Sequence, residues 1–226
     1  MKMEYMFYNC KSLTNIDLSF FEIKNINNMS YMFYNCEKLN NLKLISNKKV
    51  KAENIEIEFM FYNCKSLTYM DLSFFDIKKV NNMSYMFYNC ENMKNLALFS
   101  NNKVKADNIE IEYMFYNCKS LTKIDLSSFE IKNVNNIRYM FYNCENLNYL
   151  KLISNDKVKA DNIEMEYLFY NCRSLTNIDL SLFHIKNINN ASFMFYNCEN
   201  LKNLILFSFK KKIILIWNIC FIIVNH

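Results

Sequence analysis

Eight of the nine cysteines recur at alternating intervals of 26 and 28 residues, and they are the first candidates for chemistry: Cys10, Cys36, Cys64, Cys90, Cys118, Cys144, Cys172 and Cys198. A zinc site needs cysteine pairs two to four residues apart, so this spacing does not favour zinc. Repeats of this length stack as turns about 4.8 Å apart, which predicts a buried column of thiols that pack as small hydrophobic groups. That separation is also close to the range for disulfide bonds, so oxidative pairing is the alternative.

Catalysis has little support in this sequence. His184 is the one histidine within the repeats, and it occupies the position that Glu22, Asp76 and Glu130 hold in other units. We interpret it as a surface loop residue rather than a general base. No Ser-His-Asp or Cys-His arrangement accompanies it, so we predict a protein that is not an enzyme. We expect no catalytic, cofactor-binding or metal-binding residues and no cofactor.

The cysteines belong to a repeat that organises nearly the whole chain. The pentapeptide Met-Phe-Tyr-Asn-Cys, or a near copy, ends at each of these eight cysteines. Short units of 26 residues alternate with long units of 28 residues, which carry a Lys/Glu-rich insert such as residues 48–58. A period in this range is typical of a solenoid, and we expect the inserts to form its solvated convex face.

Each unit begins with the pattern Leu-x-x-Ile-x-Leu, first seen at Leu13, Ile16 and Leu18. The period of two between Ile16 and Leu18 predicts a short strand with one buried face. Phe21, Ile23 and Ile26 follow the strand, and we expect them to fill the turn that leads to the next element.

The second part of each unit is predicted to be a short helix. Met29, Met32, Phe33 and Cys36 lie at positions i, i+3, i+4 and i+7, the spacing of one apolar helical stripe. Residues suited to helix N-caps precede the stripe at Asn28, Asn82, Asn136 and Asn190. The pairs Asp107 with Glu110 and Asp161 with Glu164 have the spacing of capping boxes.

The chain contains no glycine and no proline. This excludes collagen-like and flexible-linker proteins and the glycine-dependent phosphate loops. The composition indicates a strongly A/T-biased gene. The residue before each repeated cysteine is always asparagine, which tolerates a left-handed backbone better than most residues, so we expect asparagine to replace a helix-capping glycine.

The segment 75–96 reads FDIKKVNNMSYMFYNCENMKNL. It resembles the leucine-rich-repeat-like units of BspA-type surface proteins at these positions, which include four from the following short unit: Phe75, Asp76, Val80, Met83, Met86, Phe87, Cys90, Leu121, Asp125, Leu126 and Ser127. The resemblance extends over residues 6–207. It implies a right-handed solenoid on a cell surface, with roles in adhesion and host-protein binding. This chain departs from the family pattern in the asparagine before each cysteine and in its 28-residue units.

Two columns of aromatic side chains are expected to run along the solenoid. The first is a possible binding surface: Tyr8, Tyr34, Tyr62, Tyr88, Tyr116, Tyr142, Tyr170 and Tyr196. The second consists of Tyr5, Tyr31, Phe59, Tyr85, Tyr113, Tyr139, Tyr167 and Phe193. Tyrosine is enriched at binding surfaces, and packing between neighbouring elements is the alternative role.

The strands are expected to present a charged ladder on the concave face: Asp17, Lys43, Asp71, Asp125, Lys151 and Asp179. Ala97 and Ile205 occupy the two remaining positions. A row of aspartates could bind calcium, but the interposed lysines argue against this. We interpret the ladder as a device for register and solubility.

Residues 209–226 depart from the repeat. The apolar segment 213–224 has only 12 residues, whereas a membrane span needs about 20, so we do not expect membrane anchoring. A/T-rich codons for Glu-Tyr-Met-Phe-Tyr-Asn-Cys-Lys-Ser-Leu, read one base forward, encode Asn-Ile-Cys-Phe-Ile-Ile-Val-Asn-His and a stop, which matches residues 218–226. We therefore expect an out-of-frame reading of the next repeat, in a chain that is a fragment of a longer array.

Together these patterns predict one α/β domain over residues 1–208, a right-handed leucine-rich-repeat-like solenoid of about eight rungs, each a short strand plus a short helix. The expected function is a non-enzymatic protein-interaction or adhesion module of a larger surface protein, with a protein or glycan partner. A truncated gene product without independent function and an intracellular scaffold are the alternatives. The net charge of +5 combines mixed signs, so we expect no nucleic acid partner. The first residues lack a signal peptide, and the surface location follows from the resemblance alone.

The charged ladder generates a stability prediction. Replacing Lys43→Glu and Lys151→Glu together places like charges opposite each other on neighbouring strands. Cross-strand pairs contribute roughly 0.2–1 kcal/mol each, so the double variant should unfold at a lower temperature than the wild type. An unchanged thermal unfolding curve would count against the ladder.

Overall fold

The protein is described by a computed structural model that covers residues 2–20, 26–44, 50–99, 104–152, 158–160, 162–181, 183–185 and 188–205. The predicted turn residues Phe21 and Ile23, and the tail 209–226, lie outside the described residues, whereas the third predicted turn residue, Ile26, is buried. Within these ranges the chain forms a right-handed β-solenoid of about six turns. This is fewer than the eight rungs that the sequence predicts.

The described residues form short strands. In chain order they are β1 (Asn15–Asp17), β2 (Asn41–Lys43), β3 (Val50–Ala52), β4 (Tyr69–Asp71), β5 (Phe75–Ile77), β6 (Asn95–Ala97), β7 (Val104–Asn108), β8 (Lys123–Asp125), β9 (Phe129–Asn133), β10 (Tyr149–Lys151), β11 (Val158–Ala160), β12 (Ile163–Glu164), β13 (Asn177–Asp179), β14 (Phe183–Ile185), β15 (Ile188–Asn190) and β16 (Asn203–Ile205).

The Leu-x-x-Ile-x-Leu pattern forms the first line of strands, as the sequence predicts. Parallel pairs join β1 with β2, β4 with β6, β8 with β10, and β13 with β16. Ile16 lies opposite Leu42, and Asp17 lies opposite Lys43. The central apolar residue of each strand packs against the core while the residues on either side face outward, because successive side chains of a strand point to opposite faces.

A second line of strands was not predicted from the sequence. The strands β3 and β5 pair in parallel, and β14, β11, β9 and β7 form a four-stranded sheet. The solvated convex face expected of residues 48–58 is confirmed only in part within the described residues 50–58. Lys51, Glu53 and Glu56 are exposed, but the apolar residues between them, Val50, Ala52, Ile55 and Ile57, are buried. The alternation of lysine with small apolar residues is a strand pattern, since a strand buries every second side chain.

The predicted helix is also wrong, because the part of the chain that the structure describes contains no helix. Met29, Met32, Phe33 and Cys36 are all buried as expected, but successive tight turns bring them to one face. The N–H of Met32 donates to the carbonyl of Met29, and the N–H of Cys36 donates to that of Phe33. Turns that return the chain every three to four residues bury the same positions as a helix does.

The asparagines predicted as helix N-caps begin turns instead. The side-chain oxygen of Asn28 accepts a hydrogen bond of 2.8 Å from the N–H of Ser30. The same i to i+2 bond is made by Asn82, Asn136 and Asn190, as in an Asx-turn. The capping boxes expected at Asp107 and Glu110, and at Asp161 and Glu164, are wrong because no helix follows them, and Asp161 itself lies outside the described ranges.

Asparagine does adopt the left-handed conformation that the sequence predicts. The asparagine before each repeated cysteine has a φ between 58° and 62°. An aromatic residue four positions earlier is also left-handed, with a φ between 54° and 58° at Tyr5, Tyr31, Phe59, Tyr85, Tyr113, Tyr139, Tyr167 and Phe193. Type II turns require a positive φ at their third position, and each unit makes two turns of this geometry in succession.

The cysteines form the buried column that their spacing predicts. Seven are fully buried and Cys10 is half-buried, and all eight are free thiols. Each buried thiol donates to a carbonyl of the preceding turn at 3.0–3.2 Å, as Cys90 does to Phe61. Burial raises the pKa of the Cys36 thiol to about 12 and raises that of Cys64 well above its usual value. These thiols are therefore neutral packing groups.

The left-handed asparagines generate a prediction at Asn117, which has a φ of 60° and donates to the side chain of Asn89 at 2.9 Å. Asn117→Ala and Asn117→Gly both remove this amide. Alanine is sterically strained at a positive φ and glycine is not. The free energy of unfolding of the alanine variant should therefore be about 1 kcal/mol lower than that of the glycine variant. Urea unfolding followed by circular dichroism measures the difference, and equal stabilities would contradict the strained geometry.

The thiol column predicts a loss of stability at alkaline pH. Unfolded thiols ionise near pH 9.0, whereas Cys36 in the fold ionises at about 12. Above pH 9 the unfolded chain therefore binds fewer protons, and the free energy of unfolding falls as the pH rises. Each of the seven buried thiols adds a slope of at most about 1.4 kcal/mol per pH unit. The free energy of unfolding, measured with urea between pH 8 and pH 10, should fall with this slope. In Cys90→Ala the slope should be smaller by the contribution of one thiol. A free energy of unfolding that does not change with pH would contradict the prediction.

Candidate interaction surface

The first line of strands presents a continuous outward surface, which we call the strand face. It consists of the first and third residues of β1, β2, β4, β6, β8, β10, β13 and β16. These side chains point away from the core because the central residue of each strand packs inward. The third positions carry the ladder predicted from the sequence, and the first positions carry Asn15, Asn41, Tyr69, Asn95, Lys123, Tyr149, Asn177 and Asn203.

The structure brings the predicted charged ladder together. The ammonium of Lys43 lies 3.4 Å from a carboxylate oxygen of Asp17. The corresponding distance from Lys151 to Asp125 is 4.0 Å. All four side chains are more than a third exposed, so solvent screens both pairs and weakens the attraction between the charges. The other two aspartates pair with uncharged residues of the following strand, since Asp71 lies opposite Ala97 and Asp179 lies opposite Ile205.

The aspartates also have a local role that the sequence analysis missed. The carboxylates of Asp17, Asp71, Asp125 and Asp179 each accept a hydrogen bond of 2.8–2.9 Å from the N–H of a serine two residues later. The bonds from Ser19, through its hydroxyl and its N–H, lower the pKa of Asp17. The signal was available, because Asp-Leu-Ser recurs in every short unit. These aspartates fix the end of the strand as well as its charge.

Two tyrosines stand out on the strand face. The side chains of Tyr69 and Tyr149 are 56% and 45% exposed. The Tyr69 hydroxyl donates to Asp71 at 3.3 Å, and the Lys123 ammonium lies 4.7 Å from the centre of the Tyr149 ring. Such partners restrict the rings without burying them, which lowers the entropy that a binding partner must remove.

A polar groove of about 480 Å³ runs beside these tyrosines. Its walls are hydroxyl, amide and ammonium groups from Lys94, Asn95, Ser120, Thr122, Asn146, Asn148 and Ser174. The sequence analysis did not identify this groove. Its signal is the threonine, asparagine or lysine that stands four residues after each repeated cysteine, a position that the tight turns leave at the surface.

The aromatic columns predicted from the sequence are stacked. Rings of the first column lie 4.5–4.9 Å apart between centroids, and those of the second lie 4.6–5.1 Å apart. Because the ring faces cover one another, the edges and hydroxyls are what the columns present. Burial raises the pKa of Tyr139 to about 12 and also raises that of Tyr88, so the phenols stay protonated at neutral pH.

The described residues offer no metal centre and no membrane-spanning helix. Within the ranges described above, no three side chains of metal-binding type lie together, and no helix is long and apolar enough to cross a membrane. The backbone of His184 pairs with Lys159 in the second line of strands. The position that the sequence analysis assigned to a loop is therefore a strand position.

Solved structures that are similar to this chain include leucine-rich-repeat proteins and receptors. A plant peptide hormone receptor in complex with RGF2 matches with a TM-score of 0.47 and 22% identity, covering 92% of this chain and 34% of the receptor. A Leptospira interrogans leucine-rich-repeat protein matches with a TM-score of 0.41 and 17% identity, covering 93% of this chain and 47% of that protein. An internalin of Listeria monocytogenes matches with a TM-score of 0.37 and 13% identity, covering 94% of this chain and 60% of the internalin. This chain thus spans less than two thirds of each.

The comparison with curated proteins gave no match. The model of one protein family matches three overlapping stretches, residues 1–109, 55–160 and 109–214. Successive matches begin 54 residues apart, which is the length of one short unit plus one long unit. These stretches cover nearly the whole chain, which therefore belongs to the family described as "Mycoplasma protein of unknown function, DUF285".

Proposed function

We propose that this protein is a non-enzymatic interaction module that binds a protein partner through the strand face. The observation that carries the proposal is the pair of exposed tyrosines, Tyr69 and Tyr149, set among regularly spaced aspartates and lysines. Tyrosine is over-represented among residues that dominate binding energy. The charges around the two rings supply specificity and orientation.

The partner we infer is a polypeptide with both charge signs. Asp71 and Asp179 face uncharged residues, so their carboxylates can take basic side chains. Lys123 beside Tyr149 offers the opposite charge. The polar groove next to these residues supplies hydrogen-bonding groups for peptide backbone. This mixture suits a protein surface better than a polymer of uniform charge.

Adhesion at a cell surface is the finer form of this proposal. It is supported by the resemblance of residues 75–96 to BspA-type units, which have that role. A solenoid suits adhesion because a repeated face extends with each added turn. The repeat also continues in both directions from any interior turn, which suits a module of a larger protein.

A displayed library of random 15-residue peptides tests the proposal. Peptides selected on the wild-type protein should lose at least tenfold in affinity, about 1.4 kcal/mol, for the double variant Tyr69→Ala with Tyr149→Ala. The matched control is Lys51→Ala, an exposed residue of β3 on the second line of strands, and it should bind with wild-type affinity. Fluorescence anisotropy of labelled peptides measures both.

Two outcomes would contradict the proposal. The first is that the selected peptides bind the double tyrosine variant as well as they bind the wild type, while Lys51→Ala weakens them. The second is that no peptide is enriched and an immobilised oligosaccharide panel instead binds the wild type but not the double variant. The second result would assign the surface to a glycan.

A further inference from the structure

The column of eight stacked tyrosines has a chemistry that binding does not use. We call it the tyrosine column, and it comprises Tyr8, Tyr34, Tyr62, Tyr88, Tyr116, Tyr142, Tyr170 and Tyr196. We propose that the tyrosine column is a site of oxidative cross-linking, at which a peroxidase-type one-electron oxidant joins consecutive turns through dityrosine bonds. This proposal is independent of the partner that the strand face binds.

The geometry places the phenols ready to react with one another. Along the interior of the column, the rings of Tyr62, Tyr88 and Tyr116 lie 4.5–4.6 Å apart between centroids, with interplanar angles of 5–6°. All inner members are half-buried, so their edges remain open to an oxidant. Backbone hydrogen bonds between the turns hold each ring beside the next, as from Asn63 to Tyr88 and from Asn89 to Tyr116. Such positioning favours a reaction between neighbours over one between molecules.

The reaction balances with hydrogen peroxide as the terminal oxidant. Each of two phenols loses one electron and one proton to give a phenoxyl radical. The radicals couple through a new carbon–carbon bond between ring carbons adjacent to the oxygens. The two hydrogens on those carbons then move to the oxygens and restore both hydroxyls. The two electrons and two protons reduce one peroxide to two molecules of water.

The tyrosine column offers the longest uninterrupted series of stacked phenols, because Phe59 and Phe193 interrupt the second aromatic column. Tyr85, Tyr113, Tyr139 and Tyr167 of that second column also stack on one another and can be joined in the same way. In the part of the chain that the structure describes, the thiols that would otherwise consume radicals are buried, apart from the half-buried Cys10. Among the described side chains, the exposed Tyr69 and Tyr149 stack on no other ring. They therefore lack a phenol partner within the same molecule.

A dityrosine bond between turns would close a loop of 26 or 28 residues. Such a covalent link restricts the unfolded chain in the way a disulfide does. It would stabilise the solenoid under oxidising conditions without using the buried cysteines. The tyrosine column would then act as a covalent lock along one edge of the fold.

Treatment of the full chain with a haem peroxidase and hydrogen peroxide tests the proposal. The intact mass should fall by two hydrogens for each bond, with the appearance of dityrosine fluorescence. After proteolysis, mass spectrometry should find cross-linked peptides from consecutive turns, including Tyr62 with Tyr88 and Tyr88 with Tyr116. Dilution should leave the yield unchanged because the reaction is intramolecular.

Tyr88→Phe keeps the stack but removes one phenol, so it should abolish both of those cross-links and leave the other turns joined. Tyr149→Phe is the matched control and should leave the pattern unchanged. The proposal is overturned if Tyr88→Phe leaves the pattern intact, if Tyr69 or Tyr149 cross-links within the molecule as readily as the column does, or if urea-unfolded chain gives the same pattern.

Discussion

Hydrogen bonds between the backbones of consecutive turns hold this solenoid together. In the segment that ends at Cys36, the N–H groups of Tyr31, Phe33 and Asn35 donate to carbonyls of the following turn at 2.8–3.1 Å. The N–H groups between them donate back within their own turn. Every amide of this segment is thus satisfied only if neighbouring turns superimpose residue on residue. Superposition is why identical side chains form columns, since each must lie one turn away from its copy in the next unit.

This arrangement has a steric cost at two positions of every unit, both of which are left-handed. Glycine would remove that cost, but the chain contains none. Asparagine takes one position, and its amide offsets the strain by bonding to the asparagine of the neighbouring turn, as Asn63 does to Asn35 at 2.9 Å. The other position is aromatic, where stacking of Tyr85 on Phe59 at 4.6 Å supplies the compensation. The columns are therefore a consequence of the backbone as well as a surface for partners.

The sequence revealed what depends on period but not what depends on the local path of the chain. The spacing of the cysteines identified the solenoid and its buried columns, and the pair Ile16 and Leu18 identified the first strands. The stripe of Met29, Met32, Phe33 and Cys36 could not distinguish a helix from successive turns, because both return to the core every three to four residues. The positive φ at Tyr31 selects the turns over the helix. Residue propensities do not predict this φ, because tyrosine rarely adopts a positive φ. The second strands were missed because Val50 and Ala52 alternate with lysine within a charged insert.

The same superposition limits how the molecule can recognise a partner. A side chain that is repeated in every turn packs against its copy in the neighbouring turn, as in the aromatic columns. Its face is then covered and is not available to a partner. Recognition must then come from positions where the repeat breaks. On the strand face these positions are Tyr69 and Tyr149, which replace asparagine or lysine of other turns, and Ala97 and Ile205, which replace the lysine of other long units and leave Asp71 and Asp179 opposite uncharged residues. The repeat builds a rigid frame, and its exceptions are the residues free to bind. Specificity in this solenoid therefore resides in the departures from its own consensus.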